Sequence, residues 1–277
     1  MEKINIMING LPGNVAKTMA RSGITDNRFN VMPFSLTGQE IEDKTITIDQ
    51  MRFELVKPDV RDEKIIRIKR QFNSFITIDY THPTAVNSNA LFYTQNQIPF
   101  VMGTTGGNRE QLEQVVKKSS TPAVIAPNMA KQIVGFQAMM EYAANTFPGL
   151  FEGYTLQVSE SHQNGKADTS GTAKAMVGYF NQLGANFDVN KIQMVRDPEV
   201  QRKEWKIPKE HIAGHGWHTY TLTAPDGSAL FEFKHNINGR DIYVSGTFDA
   251  VVFLMEKLNK PDDSKKLYTM IDVLNRP

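Results

Sequence analysis

A short apolar run, Ile4–Ile8, leads straight into Gly10-Leu11-Pro12-Gly13-Asn14-Val15-Ala16 and then into a helical pattern. A strand that ends in glycines and opens a helix commits the chain to a strand-turn-helix unit at this point. Turns of this kind let an anion approach the unpartnered N–H groups of the helix's first turn, where the macrodipole favours negative charge. The small Ala16 lets the helix lie close to the strand. The spacing is G-x-x-G-x-x-A rather than G-x-G-x-x-G, so the loop by itself also fits a turn that holds no ligand.

Further apolar runs at Phe29–Phe34, Phe75–Asp79, Phe100–Met102 and Ala123–Ala126 alternate with helix-sized segments, the pattern of βαβ units and a parallel sheet. Loop-forming clusters follow three of them, at 79–83, 103–107 and 127–128, and open α/β sheets bind ligands at the carboxyl ends of their strands. Beyond Ala126 the texture changes. A helical stretch, Lys131–Asn145, leads to alternating sequence at Tyr154–Val158 and His218–Thr223, a turn at Pro225-Asp226-Gly227, and Phe231-Glu232-Phe233. Ala250–Leu258 and Leu267–Leu274 read as helices that return to the first domain. The expected fold is α/β: a Rossmann-like dinucleotide-binding domain of residues 1–127 plus 248–277, and a second, α+β domain of residues 128–247 with a mixed sheet, for substrate binding and oligomerisation.

Composition narrows the function. At 277 residues with a net charge of +1, the chain lacks the basic excess of a nucleic-acid binder, and Lys64–Arg70 reads as a solvated helix face. The absence of cysteine excludes disulfides and thiolate chemistry. No apolar stretch approaches the ~18 residues of a membrane span, and a cytoplasmic location is expected. In NAD-binding domains an acidic residue about 20 positions past the glycine loop holds the ribose 2′-hydroxyl. Here Met32-Pro33-Phe34-Ser35-Leu36-Thr37-Gly38 has no carboxylate before Glu40. NADPH is therefore favoured, with Ser35 and Thr37 as donors to its 2′-phosphate, and the lack of an arginine in the turn keeps NADH open.

The densest polar stretch is Glu160-Ser161-His162-Gln163-Asn164-Gly165-Lys166-Ala167-Asp168-Thr169-Ser170-Gly171-Thr172-Ala173. It follows a strand and ends at a helix start, where Ser170, Gly171 and Thr172 offer N–H groups and hydroxyls to a carboxylate. His162 can exchange a proton near neutral pH, and Lys166 can hold a second carboxylate or stabilise developing negative charge. The structural alternative is a satisfied histidine beside an ordinary N-cap. His211, His215 and His218 are read as loop residues with no metal, because no helix presents them and no acidic ligand stands nearby.

This run resembles the signature of the dihydrodipicolinate reductase family, in which Glu-x-His leads to Lys and then Ser-Gly-Thr-Ala. Gly10–Ala16, Asp79-Tyr80-Thr81-His82-Pro83, Val101–Gly106 and His235-Asn236-Ile237-Asn238-Gly239-Arg240 match the same family in order. Gln163 stands where the bacterial form has a second histidine, and the pattern is more similar to the plant-type branch. The resemblance implies NAD(P)H-dependent reduction of a small dicarboxylate, 4-hydroxy-tetrahydrodipicolinate, with loss of water, by a homo-oligomer (dimer or tetramer). It implies that His162 and Lys166 are catalytic, and that Ser170, Gly171, Thr172 and Arg240 bind substrate. Gly10, Leu11, Pro12, Gly13, Asn14, Val15, Gly103, Thr104, Thr105, Ala126, Pro127, Asn128 and Met129 would then bind cofactor. The competing readings are another oxidoreductase of the same plan and an NADPH sensor without catalysis.

Overall fold

Alternation inside the first strand sets up a sheet covered on both faces. In the computed structural model, which describes residues 2–260 and 264–276, Ile6 and Ile8 of β1 (Ile4–Asn9) join one apolar cluster and Met7 the other. The chain continues through α1 (Asn14–Thr25), β2 (Phe29–Val31), β3 (Phe34–Leu36), β4 (Thr45–Ile48), β5 (Met51–Val56), α2 (Arg61–Gln71), β6 (Ile76–Asp79) and α3 (Val86–Gln95). Next come β7 (Phe100–Met102), α4 (Arg109–Lys117), β8 (Ala123–Ile125), α5 (Lys131–Thr146), β9 (Thr155–His162), α6 (Gly171–Gln182), β10 (Gln193–Val195) and α7 (Pro198–Lys203). The last elements are β11 (His215–Thr223), β12 (Leu230–Asn238), α8 (Ile242–Leu258), β13 (Leu267–Tyr268) and α9 (Met270–Leu274).

Two units form. One comprises residues 1–134 and 241–277, the other residues 135–240. The first holds a six-stranded sheet, ordered β13-β8-β7-β6-β1-β2 with every pairing parallel. The order reverses between β1 and β6, and that switch point is where such sheets bind nucleotides. The run Phe29–Phe34 is not one strand. It breaks at Met32-Pro33, since Pro33 has no N–H to give a ladder, and β3 pairs instead with β5 in a separate three-stranded sheet, β3-β5-β4. The β4–β5 hairpin turns at Asp49, which holds φ 52°. The Lys64–Arg70 stretch is helical as expected and buries only Ile65 and Ile68 of α2. The end of the chain differs from the single helix expected over 267–274: Leu267 and Tyr268 pair with β8, and Thr269 then starts α9 with a capping box. Helix α8 lays Phe248, Val251 and Leu254 into the cluster that holds Ile6 and Ile8.

The second unit is built on a mixed four-stranded sheet, β10-β9-β11-β12, parallel only between β9 and β10. Its covered face packs Leu156, Val158, Tyr220 and Leu222 against Ala173, Met176, Val177 and Phe180 of α6. Strand β12 is an edge, with Leu230 and Phe231 exposed. Among the described residues no helix is long and apolar enough to cross a membrane.

Candidate active site

In the first unit the glycine loop is fixed from beneath. Gly10 has φ +107°, and a Cβ there would meet the Tyr80 carbonyl oxygen at 2.2 Å, so only glycine fits. Ser35 and Thr37, expected to face a 2′-phosphate, are instead buried and spent on the loop. The Leu11 N–H donates to Ser35 Oγ at 3.2 Å, and Thr37 Oγ1 donates to the Leu11 carbonyl at 2.7 Å. Their hydroxyls satisfy backbone groups that would otherwise be buried without partners. The loop opens on a cleft of about 980 Å³ that Gly10–Gly13, Thr37–Ile41, Arg61 and Thr81–His82 help to line. Glu40 folds its carboxylate back over Gly38, so the cleft holds a carboxylate and a guanidinium together. Gly103–Thr105 and Ala126–Met129 follow β7 and β8 at the same carboxyl edge of the sheet but are not among the residues lining this cleft.

Asp79, at the end of β6, ties these loops together. Fully buried, it accepts from the Thr81 N–H and hydroxyl at 3.0 and 2.8 Å and from the Thr104 hydroxyl at 2.7 Å through Oδ1. Through Oδ2 it accepts from Asn89 at 3.0 Å and Tyr93 at 2.7 Å. Asn9 donates to the same Tyr93 hydroxyl and accepts from the Leu36 N–H. The carboxylate thus sets the loops after β6 and β7, and through Tyr93 and Asn9 reaches Leu36 at the end of β3. Burial first, and Asp79 second, push the Tyr93 phenol well above its ordinary pKa, so it stays a donor.

In the second unit β9 runs four residues past the predicted Tyr154–Val158, so Glu160 and His162 stand on the strand itself, on the covered face. His215 and His218 are buried strand residues rather than loop residues, because β11 pairs with β9 and puts His218 opposite Glu160. Glu160 is fully buried, with Oε1 paired to Arg196 and Oε2 taking the Ser170 N–H at 3.0 Å. Arg196 Nε also donates to the Lys166 carbonyl at 2.9 Å. One ion pair therefore anchors both ends of the 166–170 loop. Gln201, also fully buried, donates to the His162 carbonyl at 2.7 Å. Ser170 sits at the α6 N-cap position without a side-chain capping bond, so its amide, held by Glu160, is what matters. Lys166 Nζ lies 2.6 Å from the exposed Asp168. Arg240 follows the Gly239 turn and passes its guanidinium beside Gly214. His162, His218 and Glu160 approach one another as metal ligands would. Both Glu160 oxygens, however, already take donors, as befits a carboxylate serving side chains.

Burial opposes the charge on Glu160, but the His218 ring 3.6 Å away, Arg196 and the Ser170 N–H outweigh it and bring its pKa to about 2. Burial, then His218, lowers His162 to about 4, and burial followed by His218 and His162 does the same to His235. All three groups titrate lower when folded than when unfolded. Their stabilisation is complete above the unfolded values, about 6.5 for histidine and 4.3 for glutamate, and is lost as pH falls through the folded ones. Acidification from pH 7 to 4 should therefore remove several kcal/mol of unfolding free energy, about 3 kcal/mol from each histidine before solvent screening reduces it, since one unit is about 1.36 kcal/mol. Urea titrations across that range check this, and a stability that stays flat between pH 6.5 and 4 contradicts it.

Sequence reasoning missed Arg196, Gln201 and the role of His218, and saw Asp79 only as part of a motif. Comparison with known proteins fits the geometry. The family model for the N-terminus of dihydrodipicolinate reductase matches residues 4–129, and that for its C-terminus matches 133–274. A probable 4-hydroxy-tetrahydrodipicolinate reductase 2, chloroplastic, from Oryza sativa subsp. japonica is 43% identical over 269 residues, covering 97% of this chain and 82% of its own. The chloroplastic reductase 2 of Arabidopsis thaliana is 42% identical over 271 residues, covering 98% and 77%. The dipicolinate-bound dihydrodipicolinate reductase of Paenisporosarcina sp. TG-14 shares the fold, with a TM-score of 0.66 at 20% identity over 97% of this chain and 98% of that one. The plant relatives overturn the cytoplasmic location expected from the sequence: four of them are named as chloroplastic enzymes. With both halves matched by its models and plant members aligned over nearly the whole length, the chain belongs to the dihydrodipicolinate reductase family of oxidoreductases.

Proposed function

We propose that this protein reduces 4-hydroxy-tetrahydrodipicolinate to tetrahydrodipicolinate with NAD(P)H, a step of lysine and diaminopimelate biosynthesis. The observation that carries the reading is the Glu160–Arg196 ion pair, which fixes His162, Lys166 and the start of α6 around one loop. The glycine cradle at Gly10–Gly13 fits a dinucleotide, because it joins the end of β1 to the start of α1 and lines the cleft at the switch point of the sheet. Bound there, the nicotinamide supplies a hydride. Asn14 and Val15, at the start of α1, would help to hold the pyrophosphate, and Gly103, Thr104, Thr105, Ala126, Pro127, Asn128 and Met129 would hold the nicotinamide end.

The protein's own residues handle the rest. Gly171 and Thr172 present first-turn N–H groups to one substrate carboxylate, joined by the Ser170 hydroxyl, since the Ser170 N–H is already given to Glu160. Lys166 leaves the exposed Asp168 for the other, since a surface pair of this kind is worth only ~0–1 kcal/mol, and Arg240 joins the same site. His162 delivers the proton that completes the reduction as water leaves. The same reading makes the protein a homo-oligomer, dimer or tetramer, assembled through the second unit, whose β12 edge exposes Leu230 and Phe231.

NADPH is the proposed donor, with Arg61 in the cleft as partner for a 2′-phosphate. Glu40 in the same cleft favours NADH. The test follows nicotinamide absorbance with substrate made freshly by a coupling synthase from pyruvate and aspartate semialdehyde, using each cofactor in turn. Oxidation that depends on this substrate is expected, fastest with NADPH. Folded protein that binds NADPH yet leaves it unoxidised supports the sensor reading instead.

A further inference from the structure

His162 and His218 bring their Nε2 atoms to 3.3 Å, a distance that is attractive only if one of the two carries a hydrogen. The other His162 nitrogen decides which. Nδ1 lies 3.1 Å from the His215 carbonyl oxygen, which can only accept, so Nδ1 bears the hydrogen and the neutral ring leaves Nε2 bare. The hydrogen between the rings therefore belongs to His218 Nε2, with Glu160 Oε2 at 3.6 Å as a second acceptor. His218 Nδ1 is buried without a partner. With Nδ1 lacking a partner, Nε2–H is the one group through which the His218 ring bonds its neighbours, and it serves as the donor to His162.

The titratable groups around His162 are Glu160 on the same strand, His218 on β11, Lys166 in the loop, Arg196 after β10, and His235 on β12, whose ring stacks on His218 at 4.5 Å. Burial first and His218 second oppose a charge on His162, Arg196 and Lys166 add to them, and only Glu160 favours one, so the resting ring is neutral. A general acid that rests unprotonated must acquire its proton when the substrate arrives.

We propose that His218 is the positioning residue for that proton, an inference that rests on the reductase reading above. In the resting protein its N–H caps the His162 Nε2 lone pair. When the dicarboxylate binds, its two negative charges draw one proton from solvent onto His162 Nε2, because opposite charges a few ångströms apart in a partly buried site favour the charged ring. As hydride adds to the substrate, the proton passes from Nε2 to the substrate, His162 returns to neutral, and His218 caps it again. One hydride and one proton enter per turnover.

The experiment is imidazole ¹⁵N NMR of His162, assigned by its loss in His162→Gln, in wild type, His218→Leu and His218→Gln. Wild type should show the Nδ1–H tautomer at pH 7. His218→Leu removes the cap and should raise the His162 pKa by about one unit, moving the acid limb of the kcat/KM profile with it. His218→Gln, whose amide N–H reaches the same place, should keep the wild-type titration. Calorimetry in two buffers should show about one proton taken up when wild type binds pyridine-2,6-dicarboxylate. An Nε2–H tautomer in wild type overturns the proposal, as does an unshifted titration in folded His218→Leu. If the leucine variant does not fold, the wild-type tautomer and the glutamine titration still decide. None of the NMR readouts needs turnover, so a failure of the reductase reading appears separately, in the assay with substrate.

Discussion

In a His162→Ala variant, turnover of 4-hydroxy-tetrahydrodipicolinate falls on the order of 10²–10⁴-fold, the usual loss for a missing general acid, while NADPH affinity holds. The separation follows from the fold. His162 stands on β9 in the unit of residues 135–240, and the glycine cradle belongs to the other unit. Loss of the ring leaves Glu160 with Arg196 and the Ser170 N–H, so the 166–170 loop keeps its anchor and KM for the dicarboxylate rises only modestly. Steady-state kinetics with fluorescence titration of NADPH tests this. A variant retaining more than a tenth of wild-type kcat would sink the assignment of His162 as the acid.

An Asp79→Ala change acts on the other unit and on stability. Five hydrogen bonds from Thr81, Thr104, Asn89 and Tyr93 end on that carboxylate in a fully buried place. Stranded buried donors cost about 1–3 kcal/mol each before relaxation, and water entering the vacated space recovers part of that. A net loss of about 3–5 kcal/mol is expected, together with at least a tenfold weaker hold on NADPH, because the loops after β6 and β7 lose their common tie. Urea unfolding and cofactor titration measure the two effects. A loss below 1 kcal/mol with unchanged NADPH binding would show that the loops are set by the strands alone.

Much of this was legible in the sequence. The glycine loop, the alternation of strands and helices, and the Glu160–Ala173 run each carry a local pattern with a physical cause, and the parallel sheet and the start of α6 follow from them. The three-stranded sheet was not anticipated, although Thr45-Ile46-Thr47-Ile48 and Met51-Arg52-Phe53-Glu54 alternate at period two on either side of a two-residue turn. Attention to Pro33 would have split the neighbouring strand as well. What lay out of reach was register. Whether His218 stands opposite Glu160, 58 residues earlier, depends on how β11 pairs with β9, and a slip of one position would turn it to the other face. The same holds for Arg196, whose value comes from a carboxylate 36 residues away.

Ser35 and Thr37 also bear on redesign. In many dinucleotide-binding folds the turn after the second strand is where a protein engineer swaps side chains to exchange one nucleotide for the other. Here those hydroxyls are the masonry under Leu11, and replacing them would loosen the cradle before it altered any preference. Selectivity in this chain is therefore freest to drift at positions such as Glu40, which lines the cleft, and less so at Arg61, which also donates to Asn89 of the Asp79 cluster. Lineages or libraries that change cofactor should show their substitutions there and leave the serine and threonine untouched.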